Sequence, residues 1–293
     1  MPRSHRHLAS VSTRCETPLV ELEHRAPAGW RVFLKMECLN RTGSNKDRSC
    51  RAMVDAAVRS GSLRPGMRVV EASSGNASVA IASAAAEHGC SMTALVPPGM
   101  ARAKFERQRQ HGVESREGCD TAGGSDPDYR RGVAKQWQLD QPDRYHTLDQ
   151  FANPLNPLAH EQGTGRECVR QLQTLRPDVG PLGWFIMGIG TGGTITGIAR
   201  ALRDGGSATD GVRTVAVDPV GSRIASLLGG EAWQDGHVPA PDGIGAERLP
   251  GNLDTTLVDE TCTIARAAAL RELGLLRRLD GHFVGPCPGY AQA

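Results

Sequence analysis

Two rhythms alternate along this chain. Short apolar runs at Arg31–Met36, Arg68–Ala72, Thr93–Val96, Trp184–Met187 and Thr214–Val217 predict strands. Between them lie segments with helical periodicity. Ser44–Ser60 places Ala52, Met53, Ala56 and Ala57 on one face and stops at Gly61, and the alanine-rich Ala77–His88 closes at Gly89. Ala101–Gln110, Tyr129–Leu139, Pro157–Leu175, Thr194–Arg203 and Thr261–Leu273 predict further helices. Repeated strand–helix order predicts an α/β fold with parallel strands and helices on both faces. Gly118–Asp128 is the most flexible-looking stretch, and Ala152–Pro157 reads as a crossover between domains.

Composition narrows the function classes. Across 293 residues, 34 Lys and Arg against 32 Asp and Glu leave a net charge of +2, too small a field to favour nucleic acid or an anionic membrane. Aromatic residues are only 4%, which argues against a stacking surface for single strands. The longest uncharged small-residue run, Ala77–Ala86, is too short to span a bilayer. The basic N-terminus lacks the apolar stretch of a secretory signal. Eight scattered cysteines without a C-x-x-C pair predict reduced thiols in a cytoplasmic protein and no structural zinc.

Four segments carry candidate chemistry. In Asn40–Arg48 a small polar turn opens a helix and sets Lys46 in its first turn, where the helix dipole disfavours an ammonium and eases use as an amine nucleophile. A solvated lysine beside Asp47 satisfies the same pattern. Ser73–Ser78 follows a strand and precedes a helix, at the carboxyl end where open sheets bind ligands, and it suits a carboxylate; an ordinary helix cap is the alternative. In Gly188–Thr194, strand, glycine loop and helix N-terminus follow in order, an anion site by pattern. Gly188, Gly190 and Gly193 also satisfy G-x-G-x-x-G, and Asp218 sits where a ribose-binding acid belongs, so a dinucleotide site is a rival. Cys287 stands in the rigid turn Gly285–Gly289, where a buried structural thiol is the plain alternative.

Together these segments resemble the cysteine synthase and cystathionine β-synthase family of fold type II pyridoxal-phosphate enzymes. The resemblance runs from about Thr17 to the chain end. The family's K-x-E-x-x-N-P-x-G-S-x-K-D-R segment reads here as Lys35–Arg48, its T-S-G-N-T loop as Ser73–Ala77, its Q-F-x-N-P as Gln150–Pro154 followed by Asn156 and His160, and its G-T-G-G-T as Gly190–Thr194. The departures are Arg41 for the usual proline, Ala77 for a hydroxyl residue, Glu247 and Arg248 near the entrance, and Cys287 where many relatives have serine.

The resemblance implies pyridoxal 5'-phosphate as cofactor, with Lys46 as the Schiff-base lysine and Asn76 against the ring hydroxyl oxygen. It further implies that Gly190, Thr191, Gly192, Gly193 and Thr194 hold the phosphate and that Cys287 faces the pyridine nitrogen. Ser73, Ser74, Gly75 and Gln150 would grip the substrate carboxylate, with Gly243 in a segment lining the mouth. Two domains with mostly parallel twisted sheets, like the tryptophan synthase β chain, are implied. One would span residues 40–152 and the other residues 1–39 plus 153–293. The implied reaction is β-replacement on O-acetylserine, O-phosphoserine or a similar serine through an α-aminoacrylate, with a small nucleophile as second substrate and a homodimer as the expected assembly. A β-eliminating dehydratase-like lyase and a weakly catalytic binding protein are the alternatives.

Overall fold

The computed structural model describes residues 16–22, 26–117, 126–175, 180–230 and 243–281. Asp242 and Cys287 lie outside the described residues, as does most of Gly118–Asp128. A small antiparallel hairpin pairs β1 (Leu19–Glu21) with β2 (Phe33–Lys35). Then come α1 (Lys46–Arg59), β3 (Arg68–Ala72), α2 (Asn76–Ala86), β4 (Ser91–Val96), α3 (Arg102–Gln110), β5 (Val113–Glu117), α4 (Pro127–Asp140) and β6 (Tyr145–His146). These four strands form one parallel sheet in the order β5-β4-β3-β6. A second parallel sheet, β7-β8-β9, joins Trp184–Gly188, Arg213–Pro219 and Glu260–Ile264. Its helices are α5 (Leu155–Ala159), α6 (Arg166–Leu175), α7 (Gly193–Arg203), α8 (Ile224–Leu227) and α9 (Arg266–Leu279).

The order of the first sheet matters for function. From β3 the chain steps outward to β4 and β5, then returns to place β6 on the other side of β3. The loops leaving β3 and β6 therefore diverge at their carboxyl ends, which opens the crevice where such sheets bind ligands. Helix α2 is buried nearly all round, and its alanines let it pack between the sheet and α1. The hairpin packs elsewhere: Leu19 and Phe33 sit against Cys168 and Leu172 of α6 and Ile198 and Leu202 of α7.

Two expectations fail for physical reasons. Thr261–Leu273 is not one helix: Glu260–Ile264 pairs in parallel with β8, and helix starts at Arg266. The run Thr261, Cys262, Thr263, Ile264 is rich in β-branched residues that suit a pleated edge, and the helical periodicity of the following segment masked it. Pro157–Leu175 is interrupted by a π-helical turn at His160–Gly165. Gly165 presses against α7 there, where a Cβ would lie 2.5 Å from that of Ala201, and Gly197 of α7 meets the Pro157 carbonyl oxygen equally closely. Close helix contact, which no local periodicity reveals, accompanies the altered turn.

Arg48, one turn-step past Lys46, ties the halves together. Its guanidinium donates to Glu37 (Nε 2.7 Å, Nη2 2.8 Å), to Glu167 (Nη1 2.6 Å, Nη2 2.8 Å) and to the Thr17 hydroxyl at 3.1 Å. Lys35 completes the cluster, donating to Glu167 at 2.8 Å, to the Thr17 carbonyl and to Gln171. Burial pushes the Glu167 carboxyl up, but hydrogen bonds and charge from Arg48 and Lys35 outweigh it and hold it below its usual range. Arg48→Met leaves the buried Glu167 and the half-buried Glu37 carboxylates short of their counter-charge. We expect it to lower unfolding stability in urea by about 3–5 kcal/mol, well beyond any exposed arginine substitution.

Candidate active site

Lys46 is the first residue of α1, half-buried, and its Nζ lies 3.3 Å from Thr191 Oγ1 in the loop after β7. Its helix start is held from both sides. The Asp47 carboxylate accepts from the Thr42 N–H at 2.8 Å, which fixes the preceding turn, and Asn45 Nδ2 donates to Thr194 Oγ1 at 3.1 Å. Thr194 in turn touches His160 Nε2 at 3.3 Å, and His160 Nδ1 lies 3.0 Å from Thr164 Oγ1 in the π turn. Burial, reinforced by the nearby charges of Lys46 and Arg48, pushes the His160 imidazole down to about 3, so it is neutral at working pH.

The glycines of the loop serve its packing as well as any ligand. A Cβ on Gly188 would lie 2.9 Å from the Ile244 side chain, and one on Gly190 would strike the Gly243 carbonyl oxygen at 2.2 Å. One on Gly193 would collide with the Asn156 amide. Gly192 has φ +79° and caps α7; its Cβ would meet the Leu253 backbone nitrogen at 2.7 Å. A side chain at Gly192 therefore disturbs the Pro250–Asp254 loop before it reaches any anion. The Gly243 segment is bound to the glycine loop, Gly245 N–H donating to the Ile189 carbonyl at 2.7 Å.

The substrate-type loops converge at the switch point of the first sheet. Ser73, Ser74 and Gly75 follow β3, and Asn76 opens α2. Gly75 is the N-cap of α2, but Ser73 Oγ accepts from the Ser78 N–H in its first turn at 3.2 Å and keeps its own proton. Gln150 follows β6 and is held by its backbone: its N–H donates to Glu71 at 3.1 Å, and its carbonyl accepts from Asn156 at 2.7 Å and Asn252 at 2.8 Å. Glu71 also accepts from the N–H groups of Leu148 and Asp149. Asp149 has φ 51°, the one non-glycine residue with positive φ among those described, and it forces the bend that delivers Gln150. Burial pushes Glu71 up to about 7 despite its three N–H donors.

The donor set fits an aldehyde that carries a phosphate. The Lys46 amine sits beside the Thr191 hydroxyl, the neighbouring Asn45 amide binds Thr194 at the start of α7, and Asn156 Oδ1 is buried there without a partner among the described residues. A family model described as pyridoxal-phosphate dependent enzyme matches residues 12–293. The chain belongs to that family. Cysteine synthase A of Salmonella typhi is 35% identical over 280 residues, covering 94% of this chain and 82% of that protein. N-(2-amino-2-carboxyethyl)-L-glutamate synthase of Cupriavidus metallidurans is 34% identical, covering 93% and 76%. A crystal structure of O-ureido-L-serine synthase superposes with a TM-score of 0.81 at 28% identity, covering 94% of this chain and 81% of that one.

Membership disposes of the dinucleotide reading, and the site shows why the motif matched. Asp218 does not face a ligand loop: its Oδ2 accepts from the Ala225 N–H at 2.9 Å and caps α8. Arg248, expected near the entrance, lies on the surface. It is 84% exposed and pairs with Asp128 at 3.3 Å on the surface, while Glu247 is exposed beside it. Sequence reasoning missed Glu71 and Asn252, which act through the backbone of Gln150. A lone glutamate inside the strand Arg68–Ala72 was the available signal.

His160 supplies a pH test. Its folded value lies below the unfolded one, so its contribution is present above about pH 6.5 and is lost as pH falls toward 3. Glu71 runs the opposite way, its contribution being lost as pH rises from 4.5 through 7. Replacing His160 with Gln should flatten the acid side of the unfolding profile, removing on the order of 5 kcal/mol of pH dependence across that window. Parallel profiles for variant and wild type between pH 4 and 6.5 would count against a neutral buried imidazole.

Proposed function

We propose that this protein catalyses pyridoxal-phosphate-dependent β-replacement on an O-activated L-serine, joining a small nucleophile to Cβ to give cysteine or another β-substituted alanine. The reading rests on Lys46, whose amine at the start of α1 meets the glycine loop at Thr191. The relatives support the reaction class. Cysteine, N-(2-amino-2-carboxyethyl)-L-glutamate and O-ureido-L-serine are all alanines carrying a new sulfur, nitrogen or oxygen substituent at Cβ.

Bound pyridoxal phosphate supplies the electron sink that acidifies the α-proton and lets the β-substituent leave. The chain supplies the rest. Gly190, Thr191, Gly192, Gly193 and Thr194 hold the phosphate at the start of α7. Ser73, Ser74, Gly75 and Gln150 grip the substrate carboxylate and set Cα above the lysine. Lys46 Nζ takes the α-proton and returns it after the nucleophile has added. Packing of the two loops around the reacting carbon excludes water that would divert the product to pyruvate. Cys287 is assigned to the pyridine nitrogen on the resemblance alone.

The same reading divides the chain into a domain of residues 40–152 and one of residues 1–39 plus 153–293. The two separate parallel sheets and the seating of the hairpin on α6 and α7 support this division. We further assign a homodimer working in the cytoplasm. Free thiols at Cys38, Cys50, Cys90, Cys168 and Cys262 agree with that compartment, and among the described residues no helix is long and apolar enough to cross a membrane.

The test is a panel of O-acetyl-, O-phospho- and unsubstituted L-serine offered to the cofactor-loaded protein with sulfide, thiols and amines. A β-substituted alanine should form with at least one activated donor. Pyruvate and ammonia in place of any replacement product would mean a lyase. Lys46→Ala should lose both the visible absorbance band and turnover, and a normal band in that variant would mean that another lysine holds the cofactor.

A further inference from the structure

Two successive residues of α3 reach the substrate loop from behind. Gln108 is 1% exposed, and its Nε2 donates to the Ser73 carbonyl at 3.2 Å and to Ser78 Oγ at 2.7 Å, while its Oε1 accepts from Ser115. Arg107 reaches the other end of the same loop. Its Nη1 donates to Asn76 Oδ1 at 2.6 Å, and its Nη2 donates to the Thr42 carbonyl at 3.1 Å. Thr42 begins the turn that delivers Lys46. One guanidinium therefore bridges the lysine turn and the asparagine that opens α2.

The chemistry of arginine fixes the orientation of that amide. A guanidinium has only donors, so the Asn76 atom it touches must be the oxygen. The Asn76 amide nitrogen is then the group left to face a ligand, and it can only donate. The rigid fork holds both partners at once, which a lysine ammonium on a flexible stem does not do.

We propose that Arg107 is a positioning residue that locks Asn76 with its amide nitrogen turned to the cofactor, so that the ring oxygen of pyridoxal phosphate is held as an ionised acceptor. This rests on the reading above, in which Asn76 contacts that oxygen. The charge of Arg107 adds to the effect, because a donor already polarised by a cation is the stronger one. Arg107 is itself exposed on α3, which explains why it passes for an ordinary surface arginine in the sequence.

The experiment compares wild type, Arg107→Leu, Arg107→Lys, Asn76→Ala and the double variant Asn76→Ala with Arg107→Leu. Each is titrated with pyridoxal phosphate, and the visible absorbance band is followed between pH 6 and 9. Thermal unfolding of the cofactor-free proteins checks the fold. Arg107→Leu should weaken cofactor affinity about tenfold, the scale of a lost charge-assisted hydrogen bond. It should also make the visible band lose intensity to shorter wavelength as pH falls, because the ring oxygen takes up a proton. Arg107→Lys should fall between the two. In the Asn76→Ala background the same change should add nothing further. Equal spectra and affinities for wild type and Arg107→Leu, or additive effects in the double variant, would overturn the proposal while leaving the β-replacement reading intact. A wild-type protein that takes up no pyridoxal phosphate would overturn both.

Discussion

The Arg48 guanidinium is the constraint on which the arrangement depends. It sits two residues beyond Lys46 on the same helix and donates to carboxylates from two distant segments, Glu37 before the lysine turn and Glu167 on α6. A buried cation cannot be left without its anions, nor the anions without it, so the three elements are held at one relative position. Lys46 then projects toward the loop after β7 because its helix has no other place to lie. Much of the charged motif around the lysine is thus a clamp: Lys35, Glu37 and Arg48 make the cluster, and Asp47 fixes the turn.

A second carboxylate organises the carboxyl ends of β3 and β6. Glu71, next to the end of β3, gathers three N–H groups from the loop after β6, so that Gln150 and the Ser73–Asn76 loop share one anchor. The switch in strand order opens the crevice, and Glu71 holds its two lips in register. The Pro250–Asp254 loop performs a similar service between the sheets. Asn252 binds the Gln150 carbonyl, while the Asp254 N–H donates to Thr196 on α7 at 3.0 Å. The loop after β6 and helix α7 behind the glycine loop are therefore connected through side chain–backbone hydrogen bonds of the Pro250–Asp254 loop.

Most helices and strands were legible because their apolar spacing is local. The strand Arg68–Ala72 and the helices at Lys46 and Gly193 lie within a residue or two of where periodicity puts them. Legibility failed where a neighbour, not the local pattern, chose the conformation. The π turn at His160 packs against Gly197 of α7, and β9 exists because β8 offers it an edge. The glycine loop was read as an anion cradle, yet Gly188, Gly190, Gly192 and Gly193 each also accommodate a specific protein neighbour. Packing against those neighbours is a reason for the same glycines that the local pattern does not reveal.

The sequence by itself determined most of the alternation of strands and helices, the lysine at a helix start, the glycine loop behind one strand and the Ser73–Ser78 loop behind another. Those depend on spacing and on the conformational limits of glycine, both of which act over a few residues. Only the tertiary structure decided which side chains meet. That Asp218 accepts from the start of α8, that Arg248 faces solvent and Asp128, that Glu71 binds the Gln150 backbone and that Arg107 binds the Asn76 side chain depend on how elements apart in the chain pack together. Buried charge must find its partner across such long separations, and no local pattern records which partner it finds.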